Sequence, residues 1–246
     1  GLSKSGRFAV LRGKALTAII PVRGGSKRLP GKNTRKIGKY SLLERAIKLA
    51  QLCDRVDRIL VSTDDHEMYA CAETYNVAAP TIRPAALADD GATTVSVVEH
   101  LIVQADIDDG YLLLLQASSP LRTAIDLNAL LYQFEKEADA DAILSLCDHT
   151  GAHPEKLQVV TDGCVKSYLG VDSHRPEQSL AKVYALNGAF YLVDRGTFLR
   201  EKSFIPARTI GYHMPFERSV NLDTIADWDI LQAMLSAGYW DFEEYE

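Results

Sequence analysis

Apolar and polar positions follow two periods along this chain. Residues 16–22 and 111–116 are nearly continuous apolar runs, 142–147 is another, and 57–62 carries a shorter apolar centre. Runs of this kind predict strands covered on both faces, as in a parallel sheet. Between them the period becomes helical. Leu42, Leu43, Ala46, Ile47, Leu49 and Ala50 fall on one face, with Ser41 placed to cap the first turn. Helices are predicted over 41–53, 65–75, 93–105 and 124–138, with a short strand at 77–79. Strand and helix alternate from residue 16 to 147, which predicts a doubly wound, mostly parallel α/β sheet with right-handed crossovers. Ligands in such sheets sit beyond the carboxyl ends of the strands. Arg23, Asp64 and Gln116 all fall at that edge.

After residue 147 the pattern loosens. Val159, Val160 and Val165 flank Asp162 and Gly163, which predicts a small antiparallel arm inserted over 148–186. Such an arm is too small to bury a core alone, so a partner chain is expected to cover it; a long ordered loop is the other reading. Residues 187–194 return to a strand, 197–201 make a helical turn, 210–214 a strand and 224–237 a last helix. The acidic end, 241–246, is expected to be solvated. Residues 1–13 are basic and irregular and read as a mobile leader, leaving 14–246 as one domain.

Composition narrows the class. The chain has 246 residues, 47% of them hydrophobic, enough for a sizeable core. The formal net charge is −6, which argues against nucleic acid as a partner, since that affinity comes mainly from neutralised phosphates. No apolar run is long enough to span a membrane. Cys53, Cys71, Cys147 and Cys164 are widely spaced, the pattern of reduced cysteines in a cytoplasmic protein.

Against that acidic background, the stretch after the first strand is basic. Residues 23–33 read Arg-Gly-Gly-Ser-Lys-Arg-Leu-Pro-Gly-Lys-Asn. Gly24, Gly25 and Gly31 let backbone N–H groups approach an anion. Arg23, Lys27, Arg28 and Lys32 bring charge, and Ser26 and Asn33 bring polar groups. The combination fits a polyphosphate cradle, although an ordinary solvated loop has the same residue types. The spacing is neither a Walker A loop nor Gly-x-Gly-x-x-Gly. A second cluster, Gln116-Ala-Ser118-Ser119-Pro-Leu-Arg122, follows the buried run at 111–116; it suits either a ligand's hydroxyls or a polar turn. A third contains Arg83 and leads through Ala92 to Thr94, a pocket edge or a capped surface loop. A fourth contains Asn221 and Asp223, two positions that share one face of an extended segment and also suit a turn and helix cap.

Taken together, these strings resemble the sugar-acid cytidylyltransferases, the CMP-sialic acid synthetase or acylneuraminate cytidylyltransferase family, over about residues 17–235. The resemblance implies a Rossmann-like nucleotidyltransferase fold and transfer of CMP from CTP to a 3-deoxy-2-ulosonic acid such as N-acetylneuraminate, legionaminate or pseudaminate, with release of pyrophosphate. It also implies nucleotide-sugar synthesis for lipopolysaccharide or capsule. It assigns Arg23, Lys32 and Asp223 to catalysis. It assigns Gly24, Gly25, Ser26, Lys27, Asn33, Arg83, Ala92 and Thr94 to the nucleotide, along with Arg23 and Lys32. Gln116, Ser118, Ser119, Arg122, Lys156 and Asn187 go to the sugar. Mg²⁺ or Mn²⁺ would sit on Asp223 and Asn221, and the arm at 148–186 would join a homodimer. The family pattern has a second Asp where this chain has Asn221, which leaves Asp64 or Asp227 as reserve ligands. Arginines that relatives turn to the sugar acid are replaced by Glu177 and Ala185, with Arg175 and Lys182 nearby. A nucleotide-binding homologue without turnover, or a nucleotidyltransferase for another nucleotide or sugar, are the alternatives.

Overall fold

The structure, a computed structural model, describes residues 11–89 and 91–240. The expected solvated end at 241–246 and the leader at 1–10 lie outside the described residues. The rest of the expected leader is docked. Leu11 is fully buried, and Arg12 caps a helix end by donating to the carbonyls of Phe134, Glu137 and Ala140 while lying over the Phe134 ring.

The chain runs β1 (Leu16–Pro21), β2 (Lys36–Ile37), β3 (Tyr40–Ser41), α1 (Leu42–Gln51), β4 (Arg58–Ser62), α2 (His66–Thr74), α3 (Thr94–Gln104), β5 (Tyr111–Leu114) and α4 (Ala124–Lys136). It continues β6 (Ala142–Asp148), β7 (Gln158–Thr161), β8 (Cys164–Ser167), β9 (Tyr184–Asp194), α5 (Arg195–Glu201), β10 (Thr209–His213) and α6 (Ile225–Ser236). Six strands make the central sheet in the order β10-β6-β9-β5-β1-β4. β1 pairs parallel with β4 and β5, and β10 with β6; β9 runs antiparallel between β5 and β6. The expected strand at 77–79 is reduced to one bridge, Leu60 to Ala78.

The sheet is covered on both faces, which is why its strands read as apolar runs. Ala18, Ile20, Leu113 and Leu115 enter a core with α1, α4 and Phe190. Ile19, Leu112 and Leu114 enter the opposite core, with α3 and Phe198. Ser41 and Glu44 form a reciprocal capping box that starts α1. No helix among the described residues is long and apolar enough to cross a membrane.

β7 and β8 form a separate antiparallel hairpin. Its turn is Asp162-Gly163, both at positive φ, the Asp-Gly pair that matches hairpin twist. Val160, Val165, Tyr168 and Leu169 are exposed on it and beside it.

Candidate functional site

A cavity of about 680 Å³ opens beyond the carboxyl ends of β1 and β5. One wall is cationic. Arg23, Lys27, Arg28 and Lys32 line it from the loop after β1, with Arg83 beside them. That loop is anchored at a few points. Leu29 is fully buried, Asn33 donates to the Arg23 carbonyl at 3.0 Å, and Gly31 takes a left-handed turn (φ +63°) into a short 3-10 segment, Lys32–Thr34. Lys32 Nζ donates to the Leu222 carbonyl at 3.2 Å and lies 3.4 Å from Asp223 Oδ1; Arg28 approaches the same carboxylate at 3.7 Å. Arg83 is buried. It donates to the Val22 carbonyl at 2.7 Å and pairs with Asp64 at 3.4 Å, while its Nε has no hydrogen-bond partner. Burial lowers the Arg83 guanidinium from its ordinary value, and Asp64 works against that shift.

The facing wall carries amides and hydroxyls. Gln116, Ala117 and Ser118 continue from β5, and Asn221 and Asp223 come from the segment before α6. Behind them β9 bulges. Leu144 pairs with Tyr191 and Leu146 with Leu186, so four β9 residues face the single residue Ser145. Ser145 Oγ fills the gap. It donates to Asn187 Oδ1 at 2.6 Å and accepts from Phe190 N–H at 2.8 Å. Because β9 is antiparallel, its amino-terminal half reaches the same edge as the carboxyl ends of the parallel strands. Ser119 Oγ donates to the Asn187 carbonyl, and Arg122 donates to the carbonyls of Gln116 and Ala189.

The segment between β10 and α6 is pinned along its length. Arg218 forks onto Asp126 through Nε at 2.8 Å and NH2 at 2.7 Å; that fully buried carboxylate also caps α4 through Thr123. The bond from Asp126 raises the Arg218 guanidinium further, with burial opposing it. Ser219 Oγ accepts from Asn187 Nδ2, and Leu222 N–H donates to the Ser118 carbonyl at 2.8 Å. Asp227 accepts from the N–H groups of Asp223 and Thr224. Burial resists ionisation of Asp227, but these bonds outweigh it and hold its carboxyl below the usual range.

A family model described as Cytidylyltransferase matches residues 17–220. The chain belongs to the cytidylyltransferase family. It is 30% identical over 213 residues to an N-acylneuraminate cytidylyltransferase of Streptococcus agalactiae serotype V, covering 85% of this chain and 51% of that protein. The chain thus spans about half the length of such curated relatives. It is 27% identical over 236 residues to the CMP-N,N'-diacetyllegionaminic acid synthase of Legionella pneumophila, covering 89% and 96% of the two chains. Its fold superimposes on a CMP:2-keto-3-deoxy-manno-octonic acid synthetase complexed with CTP, with a TM-score of 0.65 at 16% identity, covering 91% of this chain and 99% of that one.

Around this cavity the residues expected from sequence divide. Arg23, Ser26, Lys27, Lys32, Asn33, Arg83, Ala92, Thr94, Gln116, Ser118, Asn221 and Asp223 line it. Gly24 and Gly25, expected at the nucleotide, do not, and neither is at positive φ. The Gly24 N–H is taken by Asp64 at 3.2 Å. Ser119, Arg122 and Asn187 are buried and bonded to main-chain and side-chain partners behind the wall, so they support that wall without facing the cavity. Lys156 lies in the arm, its ammonium bonded to the carbonyls of Ser173 and Arg175. Arg175 pairs with Glu155 and Lys182 with Asp148, both away from the cavity lining. Arg28, one of the four cations expected in the cradle, lines the cavity as well. Residues missed from sequence are Arg218, Ser145 and Gly188. For Gly188 a signal existed: a lone glycine after Asn inside a strand pattern marks a bulge or a close approach.

Among the described residues no three His, Cys, Asp or Glu side chains gather as a metal cluster. Asp223 and Asn221 offer one carboxylate and one amide oxygen on the same wall. A Mg²⁺ that arrives with nucleotide phosphates needs only one or two carboxylates, completing its shell with phosphate oxygens and water. The donor set fits such an ion and does not fit a resident metal. The reserve ligands are engaged elsewhere: Asp64 holds Arg83 and Gly24, and Asp227 caps α6.

Proposed function

We propose that this chain transfers CMP from CTP to the anomeric hydroxyl of a 3-deoxy-2-ulosonic acid of the nonulosonate class, releasing pyrophosphate. The observation that carries the reading is the two-sided cavity, with five cationic side chains along one wall and amides and hydroxyls on the other. The triphosphate takes the cationic wall. Arg23 and Lys32 offset charge on the transferring and leaving phosphates, while Ser26, Lys27 and Asn33 shape the cradle. Arg83, Ala92 and Thr94 meet the nucleoside. Burial makes a hydrogen-bonding pocket selective, because a wrong base leaves its polar groups unpaired. The acceptor takes the Gln116 and Ser118 end. Its hydroxyl loses a proton and attacks the α-phosphorus as the bond to the β-phosphate oxygen breaks. Such chemistry asks mainly for positioning and charge stabilisation. Asp223 and Asn221 would hold Mg²⁺ or Mn²⁺, which supplies further charge neutralisation at the phosphates.

The family relatives named for N-acylneuraminate and diacetyllegionaminic acid support the acceptor class. The exposed apolar side chains of the β7–β8 hairpin support a homodimer through residues 148–186. CTP as substrate supports a cytoplasmic setting.

The test is pyrophosphate release from CTP with N-acetylneuraminate, legionaminate, pseudaminate and an eight-carbon ulosonic acid, beside binding of CTP, UTP, GTP and ATP by thermal shift. The expected result is CTP-selective stabilisation and release that requires one of the acids. CTP binding without release for any acid favours the second reading, a nucleotide-binding homologue without turnover, which the single charged ligand beside Asn221 supports. Stabilisation by another nucleotide in place of CTP contradicts the first reading.

A further inference from the structure

Gly188 sits where three elements converge. A Cβ placed on it would stand 2.7 Å from Gln116 Oε1, 3.1 Å from Ser119 Oγ and 3.4 Å from Asn221 Nδ2. Its φ is +72°, in the left-handed region. The residue is buried inside the β9 bulge, whose backbone is held by Ser145, Ser119 and Arg122. The bulge therefore cannot simply retreat from an added methyl. The side chains that can move are Gln116 and Asn221, and both line the cavity.

We infer that Gly188 is a specificity-determining residue: its missing side chain lets Gln116 and Asn221 lie back against the bulge and so sets the room left for a polyhydroxylated acceptor. This rests on the reading of the cavity proposed above. It adds a function for a residue that touches neither substrate. Two constraints act at this position. Backbone strain would follow from any L side chain at this φ, whatever its neighbours. Crowding depends on the length of Gln116, and shortening that side chain by one methylene relieves it. The two are separable.

The experiment is a double-mutant cycle on the full chain, reading KM for N-acetylneuraminate and the dissociation constant for CTP. Gly188→Ala is expected to raise KM by about tenfold, leave CTP binding within about twofold, and cost no more than about twofold in a Gln116→Asn background. An equal cost in both backgrounds would show strain alone and overturn the inference. Gly188→Asn carries the same cycle on a residue that tolerates left-handed backbone. If the position-188 variants fold only beside Gln116→Asn, crowding is supported; if they fail in both backgrounds, it is refuted. A direct geometric readout covers a protein that binds CTP but turns over none of the four acids, an outcome that counts against the acceptor reading itself. The side-chain amide resonances of Gln116 and Asn221 should both move in Gly188→Ala, and unmoved resonances would overturn the inference.

Discussion

The two walls of the cavity are built in opposite ways. The cationic wall is mainly a loop outside the sheet, with Arg28 well exposed at its tip, anchored by Leu29, Asn33 and the turn at Gly31. The opposite wall is rigid. Ser119, Arg122, Asp126, Ser145 and Asn187 are all buried, each with specific partners. On the proposed reading, the difference lets one site meet two demands: a flexible polyanion is captured by charges that can adjust, whereas a reacting hydroxyl needs a surface that does not move. If this division is right, changes on the first wall should cost turnover with little stability, and changes behind the second should cost stability as well.

The largest effect is expected at Lys32. Lys32→Ala should lower turnover by about 10²–10³-fold, the usual cost of deleting one preorganised charge or donor at the reacting group. Its melting temperature should stay close to that of the unaltered protein. Arg218→Ala breaks the comparison from the other side. It strips the forked partner from a carboxylate that is fully buried. Breaking such a pair costs about 3–5 kcal/mol; the bonds Asp126 keeps from Thr123 place this one near the lower end, measurable by urea unfolding.

A third prediction sharpens the metal assignment. Asn221→Asp adds a carboxylate beside Asp223 and should lower the Mg²⁺ concentration for half-maximal turnover about tenfold, since ligand charge is a main determinant of affinity for hard cations. An unchanged Mg²⁺ dependence would make Asn221 a turn residue. The smallest effect concerns the α6 cap beside Asp223. Thr224→Ala should cost about 1 kcal/mol. Asp227 titrates below its ordinary value because of its bonds to Asp223 and Thr224. Its share of stability is therefore present above the unfolded pKa near 4 and is lost as pH falls through the lower folded value. Urea midpoints compared at pH 6 and pH 3 should show a smaller acid loss in Asp227→Asn.

Much of this architecture is legible in the residue pattern. Runs such as 111–116 are apolar at every position because both faces of β5 are covered, and Ser41 with Glu44 announces the start of α1. The Asp162-Gly163 pair marks the hairpin turn for a similarly local reason. Strand direction is less accessible. β9 is as apolar as its parallel neighbours, since burial, not polarity of the chain, selects its side chains. The direction matters, because it brings Asn187 and Gly188 to the cavity edge. Polar side chains near that edge are the least legible. Ser118 and Ser119 are adjacent and chemically alike, yet one lines the cavity and the other bonds to the Asn187 carbonyl. Nothing in residue type distinguishes a side chain meant for a ligand from one meant for a bulge. Lys156 illustrates the same limit, since its ammonium closes a loop of the arm. Leu11 corrects the leader: one fully buried side chain, with the bonds of Arg12 next to it, ties this part of the stretch to the body.

The central claim is that the charged wall after β1 grips a cytidine triphosphate, and structure determination on crystals soaked with CTP and Mg²⁺ tests it most directly. The account expects phosphate density against Arg23, Lys27 and Lys32, with the base beside Arg83 and the Gln116 end left open for an acceptor. Nucleotide bound elsewhere, or a charged wall without phosphate in crystals where CTP is otherwise bound, would contradict it.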